Sequence, residues 1–387
     1  MINTLFLQSE VKNPYKFYEQ MLCDCPVFWD SINELWAIYS YRNCKEILFD
    51  PAIQIPSINC SNTDGLNEYT LAITDKLARI SNGPQHEIAK QTAFLLFANM
   101  KAVSVPEILS PLLKENDHSE IDWVAKVCKK LPLLLILKSF AFNEGDCEFI
   151  THKIDQLVKI LLPEKTQMQI SEINTISNEI YPITEKQILS STFYKTVIRG
   201  LSEKYKLKAH ELVSFCISNL IGLFIQCYDA GRGILSNSLV QILKHEGLFE
   251  KVVTQKNSLK ESIIETLRFD PPVHSTRRIA ADDVMMGRHQ IKKGQLLLIV
   301  LAAANRDPQK FNKPEIFNIE RKNNNEQLTF GIGSHKCLAE NFSVNMTTET
   351  LAYFFEKYKA IKLAEQDIQY EPMINLRLPK NLFISLK

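Results

Sequence analysis

The sequence has little that would mark the protein for a membrane or for secretion. Its longest candidate for a continuous apolar segment, residues 131–137, is far shorter than the roughly 20 residues that cross a bilayer, and it contains Pro132. The first residues carry neither the charged start nor the small-residue cleavage site of a secretory signal. We therefore expect a cytoplasmic protein with no membrane partner.

An excess of charge of one sign is also absent. The 387 residues include 45 Lys and Arg against 44 Asp and Glu, which gives a net charge of +1. This balance argues against a nucleic-acid partner, which would favour a basic chain. The apolar content of 45% is that of an ordinary globular protein with a large core. Length alone would allow about two or three average domains or one large helical domain.

Cysteines are not paired in any metal-binding or disulfide pattern. There are nine of them, an odd number, and none forms the paired CxxC spacing of a zinc site. Reduced thiols fit this distribution better than disulfides do. The nine are Cys23, Cys25, Cys44, Cys60, Cys128, Cys147, Cys216, Cys227 and Cys337.

One cysteine stands in an unusual setting, the segment QLTFGIGSHKCLAENF at residues 327–342. Gly331 and Gly333 lack a Cβ, so the backbone can adopt positive φ and approach a flat ligand closely. Cys337 lies where this loop gives way to a predicted helix, with apolar residues at four-residue spacing such as Phe342 and Met346. A helix N-terminus favours the thiolate, which is the form that ligates a metal. An arbitrary cysteine is more often an apolar filler, but this frame is far more specific.

The Phe-Gly-x-Gly-x-His-x-Cys frame resembles the haem-binding signature of the cytochrome P-450 superfamily, the haem-thiolate monooxygenases. The resemblance implies that Cys337 is the axial iron ligand, whose electron donation favours O–O cleavage. It also implies that His335 contacts a haem propionate and that Phe330 and Gly331 belong to the cofactor-binding loop. Ala339 replaces the glycine usual in the family, and its methyl group should tighten the approach of the helix to the haem.

A second cofactor contact is predicted in the helix that begins near Pro84. His86 and Lys90 are four residues apart and therefore on one helix face, where two cations can meet one anion. Such a pair is by itself more often a solvated helix face. The family has a histidine and an arginine at this spacing in contact with a propionate, so the resemblance assigns the role to His86 and Lys90. Lysine keeps the charge but loses the bidentate geometry of arginine.

Amphipathic helices are predicted from residue 101 to about 208, including residues 121–142 and 146–162. The polar stretch 163–182 breaks the pattern. In the family such a region lies over the substrate pocket and varies with the substrate, so we expect a mobile lid there. Residues 210–245 then predict one helix on the order of 50 Å long.

The middle of that long helix, residues 226–233, places an acid and two glycines inside an otherwise apolar segment. Each glycine should cost about 1 kcal/mol relative to alanine, so the stretch is either a site or a surface-facing turn. In the family an acid and an alcohol here relay protons so that the distal oxygen of dioxygen leaves as water. The resemblance places Asp229 at the acid and Ala230 at the alcohol, which is missing. Proton delivery must then use an ordered water or a substrate hydroxyl, or the enzyme uses peroxide, or the chemistry needs no relay.

Residues 258–261 predict a capping box at the start of another helix. In that helix Glu265 and Arg268 share one face. Glu265 follows Asp229 by 36 residues and precedes Cys337 by 72, in keeping with the Glu-x-x-Arg helix of the family. Arg321 resembles the third member of that structural ion-pair network.

The segment that follows predicts a strand beginning at residue 273. Its arginine Arg278 is implied by the resemblance to contact a propionate, and Arg277 is the competing choice. Near the other end of the chain, residues 373–386 predict a β-hairpin whose turn reaches the pocket.

Together these features predict one domain over residues 1–387, mainly α with small β-sheets, in the cytochrome P-450 fold. One haem b is expected between the long helix and the cysteine loop. The resemblance implies a monooxygenase that oxidises a small organic molecule, in secondary-metabolite biosynthesis, with electrons from a separate ferredoxin-type donor and its reductase. A basic face that includes Lys90, Lys101 and Lys336 is expected to dock this acidic donor. A peroxide-driven enzyme and a non-catalytic haem sensor or carrier are the alternatives, because fold alone does not choose between them.

Overall fold

The structure is a computed structural model and describes residues 2–56, 64–114, 119–255 and 257–386. The helices are α1 (Tyr15–Asp24), α2 (Tyr41–Phe49), α3 (Glu68–Asp75), α4 (Gly83–Ala98), α5 (Val105–Lys114), α6 (Leu131–Ser139), α7 (Glu144–Leu157), α8 (Gln167–Ser190), α9 (Thr192–Tyr205), α10 (Ala209–Lys244), α11 (Leu248–Thr254), α12 (Ser258–Phe269), α13 (Leu301–Ala304) and α14 (Glu340–Lys357). The strands are β1 (Val27–Asp30), β2 (Leu35–Ile38), β3 (Ile53–Gln54), β4 (Glu120–Asp122), β5 (Thr276–Ala280), β6 (Val284–Met286), β7 (His289–Ile291), β8 (Leu296–Ile299), β9 (Ile361–Leu363) and β10 (Phe383–Leu386). Short 3-10 helical turns occupy Ala78–Ile80, Val158–Leu161, Asn324–Glu326 and Gly333–His335. Val124–Cys128 forms one turn of π-helix.

The chain divides into two compact units. The sheet unit comprises Met1–Pro56, Leu109–Lys129 and Ala230–Lys387, and the helical unit comprises Ser57–Ile108 and Lys130–Asp229. Among the described residues, every strand belongs to the sheet unit. Helix α10 is continuous across the boundary. That residues 1–387 act as a single domain stays a prediction.

The described residues of the sheet unit form three sheets, and the largest has the strand order β1-β2-β8-β5-β3. Its pairs are antiparallel except for β2 and β8, which run parallel with Trp36 opposite Leu297. Successive side chains of a strand point to opposite faces. Accordingly Leu297 belongs to the buried cluster around α2, whereas Leu298 belongs to the cluster around α1. Both faces of β8 are therefore buried, which explains why its sequence is continuously apolar.

The predicted ion-pair network is present, and its Glu265 and Arg268 side chains are fully buried. Arg268 donates to both carboxylate oxygens of Glu265 at 2.9 and 2.6 Å, and Arg321 Nε lies 3.4 Å from Glu265 Oε1. Arg268 also donates to three backbone carbonyls in the segment that leads to the cysteine loop. The predicted capping box is wrong, because α12 begins at Ser258 with Asn257 as an N-cap that makes no side-chain hydrogen bond. Ser258 Oγ instead donates to Gln255 Oε1 at 3.2 Å.

Another buried polar cluster surrounds His274, at the start of the predicted strand. Tyr18 Oη lies 3.0 Å from its Nδ1, and Tyr15 Oη lies 3.4 Å from its Nε2. The side chain is fully buried. Burial, together with the positive charges of Arg377 and Arg306, lowers the pKa of His274 well below its ordinary value. The ring is therefore neutral in the folded protein.

Two helix predictions are wrong in part. Residues 121–142 do not form one helix, because β4 and the turn Val124–Cys128 precede α6. This stretch is held instead by the C-terminal segment, to which Trp123 N donates a hydrogen bond at Leu382 O. The predicted break in the helical pattern at residues 163–182 is wrong, because this stretch is mostly α8, which has a complete capping box between Thr166 and Gln169. Its role as a lid over the substrate pocket stays a prediction. Ile173, Ile176 and Ile180 are its buried stripe. The polar residues between them lie on the other faces and hide this stripe in the sequence.

The long helix is confirmed as α10, and residues 215–225 within it are all buried. By length and composition it is long and apolar enough to cross a membrane, but 72% of its most apolar window is buried within the structure. The core helix of a globular protein passes the same test. The predicted hairpin does not form with the bounds 373–386, since β10 pairs with β4 and β9. The chain folds back earlier, where Tyr370 bridges Pro379 and Lys380 N donates to Gln369 O at 2.8 Å.

Eight of the nine cysteines lie in the described part of the chain, and none of these eight forms a disulfide. Cys60 lies outside the described residues.

Candidate functional site

The cysteine loop closes on itself through backbone hydrogen bonds. Cys337 N donates to Phe330 O at 2.9 Å, and Lys336 N donates to Gly333 O at 3.1 Å. Gly331 and Gly333 have φ of +65° and +73°, the left-handed region that glycine adopts without strain. The predicted need for glycine at both positions is therefore confirmed.

The two glycines differ in their surroundings. A Cβ on Gly333 would lie 2.5 Å from the carbonyl oxygen of Leu48, in the last turn of α2. A Cβ on Gly331 would have no neighbour closer than 3.9 Å. Helix α2 therefore sets the position of the loop at Gly333, a contact between residues that are far apart in the sequence.

The Cys337 thiol is exposed on this loop. Its Sγ accepts a hydrogen bond from Ala339 N at 3.4 Å, and Ala339 is the N-cap residue of α14. Cys337 thus precedes the helix by three residues rather than beginning it, which corrects the predicted boundary. An N–H group directed at sulfur favours the thiolate. By contrast, burial raises the pKa of the Cys216 thiol to about 12, which makes that sulfur a poor metal ligand.

These features fit a haem iron, which brings its own ring nitrogens and needs one soft axial ligand from the protein. The loop offers one accessible sulfur, a backbone N–H that supports its ionised form, and glycines that allow close approach. Phe330 and Gly331 also line a small cleft of about 280 Å³ in the sheet unit, together with Lys336 and Phe49.

The other candidates in the sheet unit are His335 and Arg278. His335 is half-buried in the turn Gly333–His335. Arg278 is buried on β5 and donates to Thr276 Oγ1 at 2.8 Å and Arg277 O at 2.7 Å. Arg277 is half-buried, and because strand residues alternate it points to the opposite face. Burial therefore separates the two competing arginines, while their role toward a propionate stays a prediction.

The helical unit holds His86 and Lys90. Both lie on α4, whose first turn contains Pro84 as predicted. His86 is buried, with Nδ1 2.9 Å from Ala78 O, and Lys90 follows it by one turn in a half-buried position. The shared helix face is confirmed, and the propionate contact stays a prediction.

Asp229 and Ala230 lie within the unbroken helix α10, where Asp229 is half-buried and Ala230 is exposed. Two residues further, Arg232 is buried and paired with Glu371 at 3.1 Å. A Cβ on Gly233 would lie 2.4 Å from Pro272 Cβ and 2.5 Å from Leu378 Cδ2. The stretch is therefore not a surface-facing turn. The Arg232–Glu371 pair escaped the sequence analysis, although an arginine inside an apolar helix is a signal for a buried ionic partner.

Sequence comparisons find that the chain is similar to bacterial cytochromes P450. A sequence model of the family described as Cytochrome P450 matches residues 249–385. The Putative cytochrome P450 YjiB of Bacillus subtilis (strain 168) is 26% identical over 345 residues, covering 86% of this chain and 84% of that protein. The Biotin biosynthesis cytochrome P450 of the same organism is 24% identical over 404 residues, covering 97% of both.

Solved structures agree on the fold. The crystal structure of P450BioI with an acyl carrier protein ligated to hexadec-9Z-enoic acid has a TM-score of 0.83 at 20% identity, covering 98% of this chain and 100% of that chain. CYP109E1 from Bacillus megaterium in complex with testosterone has a TM-score of 0.81 at 23% identity, covering 97% and 99%. Together with the glycine loop and its exposed cysteine, the family model and the relatives support the cytochrome P450 superfamily of haem-dependent monooxygenases, and the solved structures show the same fold.

Proposed function

We propose that the protein is a monooxygenase that binds haem b through Cys337 and oxidises a small organic molecule in secondary-metabolite biosynthesis. The observation that carries this proposal is the exposed Cys337 sulfur, which accepts an N–H hydrogen bond beside two glycines of positive φ. When bound, the haem supplies the centre at which dioxygen is activated. Residues 1–387 act as one domain, and the protein works in the cytoplasm.

Four side chains are proposed to hold the carboxylates of the cofactor, and the cysteine loop supports its flat face. Arg278, His335, His86 and Lys90 each carry or can acquire positive charge, which suits a propionate. Phe330 and Gly331 supply the apolar and backbone surface of the loop. The buried position of Arg278 supports its choice over Arg277.

The test of the ligand is spectroscopic. The reduced holoenzyme should form a carbon monoxide complex with the red-shifted Soret band of thiolate ligation, and Cys337→Ala should lose that band. Cys23→Ala removes another exposed thiol and is the matched control. A histidine-type band in the native protein, or an unchanged band in Cys337→Ala, would exclude this ligand.

The substrate class rests on the names of similar proteins. One relative is the Biotin biosynthesis cytochrome P450, and another, 21% identical over 400 residues, is the Pulcherriminic acid synthase of Bacillus subtilis (strain 168). Both names describe the formation of small organic molecules. A small organic substrate is the corresponding proposal for this chain.

Electrons are proposed to come from an acidic ferredoxin-type donor and its reductase. Lys336 is half-exposed in a 2.7 Å pair with Glu340, and Lys45 lines the same cleft in the sheet unit. Lys90 and Lys101 are the further basic residues assigned to docking. The rate of reduction by such a donor should fall as salt is added, and Lys336→Glu should lower both the rate and its salt dependence. Lys293→Glu, which reverses another exposed lysine, is the control, and equal effects of the two variants would place docking elsewhere.

A peroxide-driven enzyme is the second candidate, because Ala230 carries no group that can move a proton. The ratio of product to reductant separates the two functions. Full turnover with hydrogen peroxide and no dependence on the reductase would favour the second candidate. Improved coupling in Ala230→Thr would favour the dioxygen-dependent enzyme.

A further inference from the structure

A row of hydrogen-bonded tyrosine, histidine and carboxylate groups in the sheet unit has no role in the proposed function. It joins Tyr18 and Tyr15 of α1 to His274, which precedes β5, and to Asp270, the C-cap residue of α12. Tyr18 and His274 are buried, whereas Tyr15 is half-buried. The row therefore has one tyrosine in the core and one that is partly accessible to solvent.

The hydrogen bonds along this row all point in one direction. Tyr15 Oη donates its hydrogen to Asp270 Oδ1 at 2.7 Å, so toward His274 it can only accept. The 3.4 Å contact between Tyr15 Oη and His274 Nε2 therefore places the ring hydrogen on Nε2. His274 Nδ1 is then the acceptor of the Tyr18 hydroxyl, which lies 3.0 Å away. Both tyrosine hydroxyls consequently donate to a base.

Amide side chains hold both ends of the row. Gln8 Nε2 donates to Tyr18 Oη at 3.4 Å, which agrees with the Tyr18 hydrogen being directed at the imidazole. Gln241 Nε2 donates to Asp270 Oδ2 at 2.9 Å and leaves the other carboxylate oxygen for Tyr15. Because amides do not titrate in water, a proton can shift along the row but does not leave it through either end.

This arrangement suits the oxidation of a tyrosine. A phenol that has lost an electron is a very strong acid, so even a weakly basic imidazole takes its proton. A buried charge without a partner is costly, and oxidation in a protein core is therefore favoured only where the proton can pass to a base. Tyr18 has such a base in His274. The Tyr39 ring lies 6.4 Å from the Tyr18 ring and is also buried, but within the described residues its hydroxyl makes no hydrogen bond.

The row is also near, along the chain, to a side chain proposed to hold the cofactor. His274 and Arg278 are four residues apart, a separation that spans at most about 14 Å of chain. Both belong to the sheet unit, as Cys337 does. The ring centres of Tyr18 and Tyr15 are 5.9 Å apart. Electron transfer over such separations needs no direct contact between the groups.

We propose that Tyr18 and Tyr15 form a redox site that returns electrons to the haem when it has been oxidised with no substrate to attack. Tyr18 gives up one electron, and one proton shifts along each hydrogen bond of the row. Asp270 becomes a carboxylic acid, and Tyr18 becomes a neutral radical. An electron from Tyr15 then restores Tyr18, the protons between the two rings shift back, and the radical resides on Tyr15. This inference rests on the proposed binding of haem by Cys337.

The cycle closes with a one-electron donor from solvent, such as ascorbate. Its electron reaches Tyr15, and the proton held by Asp270 returns to the Tyr15 oxygen. Hydrogen peroxide is the oxidant. Two electrons from the donor and two protons from solvent convert it to two waters, and the row returns to its initial state. The activity protects the haem and the chain from oxidation.

The experiment treats the holoenzyme with hydrogen peroxide and no organic substrate. Rapid freezing and electron paramagnetic resonance measure the tyrosyl radical, and the decay of the Soret band with ascorbate present measures destruction of the haem. Tyr18→Phe removes one hydroxyl and keeps the ring. It should lose most of the radical signal and bleach severalfold faster. Tyr39→Phe is the matched control, because Tyr39 is a buried tyrosine of the same cluster, and it should change neither readout.

Tyr15→Phe tests the order of the two tyrosines. The radical should still form on Tyr18, because His274 still accepts its proton. Ascorbate should quench this radical severalfold more slowly, because the tyrosine that is accessible to solvent has been removed. A purely structural role of the two hydroxyls would not give loss of the signal in one variant and a longer-lived signal in the other.

An unchanged radical yield in Tyr18→Phe, an equal loss in Tyr39→Phe, or unchanged quenching in Tyr15→Phe would overturn the inference. If Tyr18→Phe does not bind haem, the comparison of Tyr15→Phe with Tyr39→Phe decides, and equal quenching in these two variants overturns it. The carbon monoxide complex of the native holoenzyme separates this failure from that of the proposed function. A thiolate-type Soret band without a tyrosyl radical refutes the inference alone, whereas absence of that band refutes the proposed function.

Discussion

The contact between the cysteine loop and α2 gives a sharp prediction at Gly333. In Gly333→Ala, the new Cβ meets Leu48 O at 2.5 Å, a separation that Cβ atoms do not tolerate. The carbonyl belongs to the backbone of α2 and cannot rotate away as a side chain would. Either the loop that carries Cys337 or the end of α2 must therefore shift. Gly331→Ala is the matched control, because it has a similar positive φ without this contact.

The two variants share one cost and differ in another. An alanine held in the left-handed region costs about 1–2 kcal/mol in either position. Forcing an extra methyl into a packed site adds about 1–3 kcal/mol, and only Gly333→Ala meets that penalty. We expect Gly331→Ala to lower the free energy of unfolding by about 1–2 kcal/mol and Gly333→Ala by about 2–5 kcal/mol.

Urea unfolding of the holoenzyme, followed by far-ultraviolet circular dichroism, measures both values, with an unchanged m-value as the check on two-state behaviour. The Soret band of the reduced carbon monoxide complex measures whether the loop still presents Cys337. We expect Gly333→Ala to retain less of this band than Gly331→Ala. Equal losses of stability and of Soret intensity would refute the claim that α2 positions the loop.

Three further outcomes follow from the buried groups. The free energy of unfolding should fall as pH drops below about 6.5, because the histidine of the unfolded chain then takes up a proton that buried His274 does not. Urea titrations at several pH values should show a smaller slope of unfolding free energy against pH in His274→Gln, and an unchanged slope would contradict this. Arg268→Ala should lower the free energy of unfolding by about 3–5 kcal/mol, because it removes the arginine paired with the buried Glu265 carboxylate. Arg199→Ala, at an exposed pair, should change it by less than about 0.5 kcal/mol, and similar values for the two variants would contradict the buried network. Gly233→Ala should lower the melting temperature because its new Cβ meets Pro272 and Leu378, whereas Gly200→Ala, whose nearest neighbour is at 3.8 Å, should raise it slightly through helix propensity. A higher melting temperature in Gly233→Ala would mean that the helix shifts at no cost.

Features that depend on a residue and its near neighbours were predictable from the sequence. Glycine alone reaches positive φ without strain, so the shape of the cysteine loop followed from Gly331 and Gly333. Proline suits a first helical turn, so α4 was found from Pro84. The Glu265–Arg268 pair needed only helix spacing.

The errors arose where another contact, local or tertiary, replaced the one expected from the sequence pattern. Ser258 has the residue type of an N-cap, but its hydroxyl donates to Gln255 instead, and α12 begins one residue earlier than a cap at Ser258 would allow. In α8 the spaced isoleucines are a minority among polar residues, so the stretch resembled a loop. Packing within the helical unit, where α7 and α3 both contact α8, buries that minority and stabilises the helix.

By itself the sequence determined the cysteine loop, the long helix and the membership that the motif implies, because each is written in contiguous residues whose backbone preferences are local. Only the tertiary structure decided that Leu48 crowds Gly333, that Arg232 pairs with Glu371, and that Arg278 rather than Arg277 is buried. These contacts join residues that are distant in the chain or depend on which face of a strand meets the core. Periodicity reports that a face exists, and only packing determines which residues meet it.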